Sequence, residues 1–351
     1  MKLQKIGLTF FIIFCVLALL VFAKSIILPL ILAIFLWFII KEVRDYMDRA
    51  NWIKEKIPRW VKTLIASISM ILILGLISNL LVSNATGLYN SLPNYEMNLK
   101  KIDVKIASEF GIDIGENFKN FSGEMNLSAI GRNLIDSISE VFSSAFMILL
   151  YLIFILLEET SFLNKLKAIY KKPNEFEEVN ELLIQIDKSL SKYLSIKTLL
   201  SFITALASYI VLRIIGIDFA FFWAFFIFIL NFIPSIGSLI ATLFPALMAL
   251  IQYGGTDFTP FILVLIFVGL IQVIVGNFLE PKLMGNSLNI SSLVVILSLA
   301  VWGAIWGIIG MILSVPITVM MILIFSKIKG TRDVAILLSE KGEIIPLDSD
   351  E

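Results

Sequence analysis

Histidine is absent from this chain of 351 residues, and cysteine occurs only once. The lack of histidine excludes histidine-liganded metal sites, serine–histidine and cysteine–histidine nucleophile pairs, and a histidine proton switch. An intramolecular disulfide is excluded because Cys15 has no second cysteine to pair with. Any proton chemistry must therefore use carboxylates or lysines, and no metal or other cofactor is predicted.

Charged residues are scarce and evenly balanced. They make up 16% of the chain, with 28 lysines and arginines against 28 aspartates and glutamates, whereas soluble domains carry about 25%. This balance gives no net attraction to nucleic acid, which is not a predicted partner. A GxxxxGK[ST] loop is also missing, so the chain has no ATP site of that type.

Apolar residues account for 58% of the sequence and collect in long uncharged runs. The runs are Leu8–Ala23, Ser25–Ile40, Thr63–Val82, Val141–Leu157, Thr198–Leu212, Phe219–Ile251, Phe261–Leu279 and Leu288–Phe325. Several reach or exceed the roughly 18 residues of a membrane-spanning helix. The sequence therefore predicts an all-α polytopic membrane protein, with the lipid bilayer as its first partner.

Basic residues predict the orientation of these helices, because lysine and arginine near the end of a span favour the cytoplasmic side. The segment after Ile40 is rich in both, Lys2 and Lys5 precede the first run, and the tail from residue 327 is basic. The first two runs are expected to form a retained helical hairpin that turns near Lys24. Both termini are expected in the cytoplasm.

The runs and the charges between them predict five segments. The acidic segment after the third run ends in an amphipathic helical pattern, which suits either a lid over a pore or a helix lying on the protein or membrane surface. The segments are 1–82, N-terminal transmembrane helices with a basic cytoplasmic loop; 83–140, an extracytoplasmic segment; 141–197, a transmembrane helix with cytoplasmic amphipathic helices; 198–326, a transport core with two hairpins; and 327–351, a cytoplasmic tail.

Two runs are too long to cross a bilayer once. Phe219–Ile251 would extend about 50 Å as a single helix and Leu288–Phe325 about 57 Å, whereas the hydrocarbon core is about 30 Å thick. Each run must fold back on itself, by crossing fully or by re-entering from one side. The breaks are predicted at Asn231–Gly237 and at the glycines within Trp302–Gly310.

The first break has the composition of a hairpin tip within the membrane. Pro234 lacks a backbone N–H and disfavours helix at the residue before it. Gly237 permits a tight reversal, while the side chains of Asn231 and Ser235 can bond to freed backbone groups. These residues could line a substrate or ion pathway. The alternative is an ordinary turn in which their side chains form hydrogen bonds only with the backbone.

The second break is rich in glycine. Gly303 and Gly307 form a small-xxx-small pair, with Gly310 and Pro316 beyond. Close packing of helix backbones is the simplest interpretation, and a moving hairpin would need the same small surface. A short sequence echo links Ile236–Pro245 to Ile309–Pro316 and suggests two related hairpins.

Several segments resemble, in order and spacing, the signature segments of the AI-2E transporter family. They are "NFIPSIGSLIATLFPALMAL", "GNFLEPKLMGNSLNI" and "WGIIGMILSVPI", and the likeness continues upstream in "ILPLILAIFLWFII" and "IPRWVKTLIASI". The resemblance implies a bacterial cytoplasmic-membrane protein with about eight transmembrane helices. It also implies a homo-oligomer that moves a small polar solute or exchanges monovalent cations for protons.

This chain departs from the family pattern at a few positions. Ser238 replaces a common proline after the "IG" of the first hairpin, and Ser195-Ile196-Lys197 stands where glycine and glutamine are usual. Val275 stands where an acid often precedes the Gly–Asn pair. These departures bear on substrate and coupling residues rather than on the fold.

The best ionisable candidates lie at the end of the Phe261–Leu279 run. Glu280 and Lys282 flank Pro281, close to Asn277. A carboxylate and an amine beside a helix break can bind a cation or carry a proton, or they can form a salt bridge that anchors the helix at the headgroups. Gln272 is a weaker candidate because its helical face differs from that of Asn277 by about 140°.

These features favour a secondary transporter. Export of a small polar solute such as autoinducer-2 would use neutral groups, whereas a Na⁺ or Li⁺/H⁺ antiporter would need Glu280. A channel or an envelope scaffold is the alternative outside transport. An enzyme is disfavoured because histidine-dependent and GxGD-type sites are absent from the sequence.

Overall fold

A computed structural model of the chain describes residues 2–49, 51–110, 127–285, 289–328, 330–340 and 342. The middle of the predicted extracytoplasmic segment, residues 111–126, lies outside the described residues. The helices are α1 (Lys2–Phe22), α2 (Lys24–Met47), α3 (Asn51–Lys56), α4 (Arg59–Phe110), α5 (Leu127–Ile169), α6 (Pro173–Ile215), α7 (Ala220–Leu230), α8 (Ile236–Gln252), α9 (Thr259–Ile274), α10 (Glu280–Met284), α11 (Ser292–Lys327) and α12 (Arg332–Leu338), with a π-helical segment at Val275–Leu279.

Six of the described helical stretches are long and apolar enough to cross a membrane. They are Lys24–Met47, Arg59–Ile102, Ser144–Ile169, Pro173–Ile215, Thr259–Met284 and Ser292–Lys327. Two shorter apolar helices, α7 and α8, accompany them. The prediction of an all-α polytopic membrane protein with broken helices in its C-terminal half is confirmed.

The chain divides into two compact units. Unit 1 contains Met1–Ala66, Ser144–Ser195 and Asn286–Glu351, and unit 2 contains Ser67–Ser143 and Ile196–Gly285. Helices α4, α5 and α6 each contribute to both units. The first predicted hairpin belongs to unit 2 and the second belongs to unit 1.

Helix α11 lies at the centre of unit 1. Buried Trp306, Leu313 and Ile317 form a cluster, against which apolar side chains from α1 and α2 pack. The indole N–H of Trp306 donates to the carbonyl oxygen of Leu20 at 2.9 Å. This bond ties α11 to the junction of α1 and α2, which meet at Ala23 without a loop.

A charge network joins α2, α4 and α5 within unit 1. Arg44 is only 2% exposed, and its guanidinium donates to both carboxylate oxygens of Glu159, at 2.7 and 3.2 Å. Arg59 and the indole of Trp37 also donate to Glu159. Forked arginine–carboxylate pairs are among the stronger hydrogen bonds in proteins. The carboxylate of Glu159 therefore has a structural role, because it links α5 to α2 and α4 within unit 1.

In unit 2, Gln252 at the end of α8 holds the turn between α6 and α7. Its amide donates to the carbonyl of Gly216, and its side-chain oxygen accepts from the backbone N–H of Asp218, both at 2.8 Å. From α4, Tyr95 donates to the Asp218 carboxylate and Asn98 donates to the Gln252 carbonyl, both at 2.9 Å. The far part of α4 is thereby fixed to one end of the first hairpin.

Candidate functional site

The chain leaves helical geometry between α7 and α8, at Asn231–Ser235, where the sequence predicts the first break. Helix α7 has 11 residues and α8 has 17, which gives arms of about 17 and 26 Å. Each arm falls short of the hydrocarbon thickness of about 30 Å. Pro234 and Ser235 lie in the turn, and the side chain of Ser235 forms no cap on α8.

Gly237 is required in this turn because there is no room for a side chain, and its φ is not positive. The left-handed position belongs to Ser235, with φ 58°. A Cβ atom on Gly237 would lie 1.9 Å from the carbonyl oxygen of Leu230. Residues seven apart in a continuous helix are separated by about 10.5 Å along the axis. The contact therefore requires the chain to reverse, and only glycine fits at this position.

The second break, within unit 1, repeats this local geometry. Gly307 interrupts α11 with φ 65° and ψ −143°. A Cβ on Gly310 would lie 1.9 Å from the carbonyl oxygen of Trp302, and one on Gly303 would lie 2.9 Å from the side chain of Met311. Pro316, on the returning arm, is buried. The echo between Ile236–Pro245 and Ile309–Pro316 thus coincides with two similar turns.

A buried polar face on α6 meets the tip of the first hairpin in unit 2. Lys197, Ser201, Thr204 and Ser208 are each at most 4% exposed. Their spacing places all four within about 60° of helical arc and along about 17 Å of α6. The side-chain amide of Asn231, itself 7% exposed, donates to the hydroxyl of Ser201 at 3.1 Å. Asn231 therefore bonds to another helix rather than to its own backbone.

Glu280 pairs with Lys197 rather than with its neighbour Lys282. The ammonium of Lys197 lies 2.6 Å from a carboxylate oxygen of Glu280, and the two side chains are 5% and 26% exposed. This bond joins the polar face of α6 to α10 within unit 2. Lys282 is exposed, and the anchoring salt bridge between it and Glu280, one of the two alternatives that the sequence offered, is not found among the described residues, where Glu280 pairs with Lys197.

The helix break predicted beside Glu280 is a π-helical segment within an otherwise continuous span. Val275–Leu279 directly precedes Glu280 and Pro281. A proline lacks the N–H for the helix ladder, and its ring crowds the carbonyl four residues earlier, here that of Asn277. The wider π turn relieves this crowding, and π segments are frequent at functional sites. Asn277 and Pro281 are exposed.

Gln272 lies on α9 and is 7% exposed. Its side-chain Nε2 has no hydrogen-bond partner among the residues that the structure describes. An unpaired buried amide costs about 1–3 kcal/mol. Such a group is a candidate for contact with a ligand.

Lys197 and the hydroxyls of α6 were not among the site residues that the sequence predicted. Lys197, Ser201, Thr204 and Ser208 recur at helical spacing through an apolar run. That period of three to four residues is the signal that marks one face of a helix. The polar residues that follow this period mark the face of α6 that is buried in unit 2.

Long apolar helices, two broken spans and a buried polar face define a multi-pass α-helical membrane protein with irregular backbone inside its helical core. The sequence matches the family described as AI-2E family transporter over residues 8–330. The chain belongs to this family, as its signature segments predict.

Relatives across the same length are transport proteins by name. The chain is similar to the AI-2 transport protein TqsA of Escherichia coli K12, with 32% identity over 324 residues and 91% of each chain covered. It is similar to a putative transport protein of Borreliella burgdorferi, with 31% identity over 335 residues, 93% of this chain and 89% of the relative. A putative transport protein of Haemophilus influenzae is 28% identical over 327 residues, 91% of each chain.

Proposed function

We propose that this chain is a secondary transporter that exports a small, neutral, polar solute of the autoinducer-2 type across the bacterial cytoplasmic membrane. The observation that carries the proposal is the buried polar face of α6 against the hairpin tip at Asn231. Polar groups at membrane depth are expensive unless they line a pathway or bind one another. Broken helices beside them are the means by which secondary transporters build a solute site.

The charges of the site favour a neutral solute over a cation. The carboxylate of Glu280 is already neutralised by the ammonium of Lys197 at 2.6 Å. A sodium ion would have to displace that ammonium before it could bind. The other polar groups of the site, Ser201, Asn231 and Gln272, are uncharged hydroxyl and amide groups, which suit a solute rich in hydroxyl oxygens. The name of the Escherichia coli relative supports autoinducer-2 as the solute to test first.

The remaining parts of the proposal follow from charge and from family membership. Basic residues on the loop after α2 and in the C-terminal tail support cytoplasmic termini. Homo-oligomerisation remains a prediction, and light scattering of the purified protein in detergent would determine the number of subunits. We expect solute or ion gradients to supply the energy, because the sequence contains no GxxxxGK[ST] loop and a primary pump would need a partner with an ATP site.

Flux through purified protein in liposomes tests the proposal. Vesicles loaded with labelled autoinducer-2 should lose the label faster than protein-free vesicles. Parallel vesicles with a pH-sensitive dye should show no Na⁺- or Li⁺-driven proton movement. Cation-driven proton flux without solute flux would replace the proposal with the antiporter alternative. Electrical conductance far above any transporter rate would support a channel.

A further inference from the structure

Besides Gln272, three more polar side-chain atoms of unit 2, on Ser67, Ser208 and Trp223, are buried without a partner among the described residues. Two of these residues lie on successive helices, Ser208 on α6 and Trp223 on α7. The hydroxyl of Ser208 and the indole N–H of Trp223 form no hydrogen bond within the described part of the chain. Ser208 is 0% exposed and Trp223 is 8% exposed. Buried polar groups in folded proteins are nearly always bonded, so an unpaired group needs an explanation. Two such groups on successive helices suggest a common explanation.

The chain geometry places the two groups at one level of unit 2. Helices α6 and α7 are joined by a short turn and are linked by the Ser201–Asn231 bond, so they run antiparallel. Ser208 lies about 10.5 Å from Ser201 along α6, and Trp223 lies about 12 Å from Asn231 along α7, both toward the turn. Ser208 also lies within about 20° of the face of Ser201 that meets α7, while Trp223 lies about 80° around α7 from the face of Asn231 that meets α6.

The surroundings of these groups specify the chemistry of an occupant. The indole of Trp223 makes edge-to-face contacts with Phe222 and Phe226, with centroids 5.3 and 6.4 Å away. Helix α7 carries no charged residue, and α6 carries none between Lys197 and Arg213. An indole N–H only donates, while a serine hydroxyl donates or accepts. The pair therefore suits a neutral molecule with acceptor oxygens and an apolar face.

We propose that Ser208 and Trp223 form a binding subsite for such a neutral, oxygen-bearing solute. The subsite lies about two helical turns from the hairpin tip, on the side of the turn between α6 and α7. It rests on the proposed function in one respect, since the solute it takes is the transported one. The solute satisfies the two polar atoms, and the aromatic side chains of α7 contact its apolar face.

Separate Ser208→Ala and Trp223→Phe variants test the subsite, because each removes one polar atom and little volume. Matched controls are Ser314→Ala, a buried serine that donates to the backbone of its own helix, and Trp60→Phe, an exposed tryptophan. Purified proteins would be compared by equilibrium binding of labelled autoinducer-2 and by thermal unfolding without solute. Each test variant should weaken binding about tenfold, the worth of one hydrogen bond. Its unfolding temperature should be unchanged or higher, because an unpaired polar group has been removed.

Unchanged affinity in both test variants would overturn the subsite even if solute flux is measured. A fall in unfolding temperature below that of the controls would also overturn it, since the atoms would then have structural partners. Ribose and glycerol would be added to the wild-type unfolding assay. If neither they nor autoinducer-2 stabilise the wild type, the subsite is wrong. If one of them binds through Ser208 and Trp223 but no solute, autoinducer-2 included, is carried, the subsite stands and the proposed function fails.

Discussion

Lys197 and Glu280 form an ion pair between two helices of unit 2, with 2.6 Å between the ammonium nitrogen and a carboxylate oxygen. The residues stand 83 positions apart in the sequence. Lys197 is almost completely buried, while Glu280 keeps 26% of its side chain exposed. The pair cancels the charge of the buried polar face of α6, and this neutrality underlies the choice of a neutral solute.

Removing one member of the pair should destabilise the protein more than removing both. Glu280→Leu leaves the Lys197 ammonium buried and unpaired, which costs about 3–5 kcal/mol. The double variant Lys197→Met with Glu280→Leu should recover most of that loss, because a buried pair replaced by apolar groups is often neutral in stability. Chemical unfolding in detergent measures both, with Lys282→Met as the exposed-charge control. Equal losses in the single and double variants would show that the pair does not form.

Alanine at either hairpin glycine should prevent the turn from closing. Gly237→Ala and Gly310→Ala each place a Cβ 1.9 Å from a carbonyl oxygen, so the backbone must shift at a cost of about 3 kcal/mol or more. Gly75→Ala is the matched control, since nothing lies within 4 Å of its Cβ position and alanine favours the helix by about 1 kcal/mol. Unfolding temperatures of the three variants test this contrast. Stability of Gly237→Ala equal to wild type would contradict the close approach to Leu230.

Replacing Gln272 with leucine should separate stability from transport. The Nε2 atom of Gln272 has no partner within the described residues, so removing the buried amide should leave the unfolding temperature unchanged or raise it. If the amide contacts the solute, the same change should lower the flux up to about tenfold. Flux and unfolding would be measured on one preparation. Lower stability with normal flux would assign the amide a structural role.

The single cysteine makes the predicted orientation easy to test. Cys15→Ala gives a cysteine-free background, into which Glu55→Cys and Glu96→Cys can be placed at exposed positions. The basic loop predicts that position 55 faces the cytoplasm and position 96 the opposite side. A membrane-impermeant maleimide added to intact cells, after the outer envelope is permeabilised, should label only the second variant. Labelling of the Glu55→Cys variant alone would show that the orientation is the reverse of the predicted one.

Much of the fold could be predicted from local sequence. Apolar runs longer than a bilayer is thick required Phe219–Ile251 and Leu288–Phe325 to fold back, and proline and glycine marked the turns. The role of Gly237 was predicted only in part. Its neighbour Ser235 takes the left-handed position, whereas Gly237 is required by the carbonyl of Leu230. The turn preferences of individual residues do not reveal that Gly237 will contact Leu230 on the other arm of the hairpin.

The partners within the site could not be predicted, because they join distant parts of the chain. Proximity in sequence favoured Lys282 as the partner of Glu280, but the helices of unit 2 bring Lys197 to it instead. Gln272 was judged a weaker candidate because its face differs from that of Asn277, although its neighbours on other helices decide what it can contact. The polar period on α6 was readable from the sequence. Its importance depended on knowing which face of α6 is buried.

Solute efflux from proteoliposomes containing the Asn231→Ala variant tests the central claim most directly. Asn231 donates to Ser201 at the hairpin tip, so its amide lies where the proposed pathway meets the polar face of α6. Ser238→Ala is the control, because the Ser238 hydroxyl bonds only to the carbonyl of Ser235 among the described contacts. Autoinducer-2 efflux per folded protein should fall about tenfold in Asn231→Ala and stay near wild type in Ser238→Ala. Wild-type efflux in a folded Asn231→Ala variant would contradict a pathway at the hairpin tip.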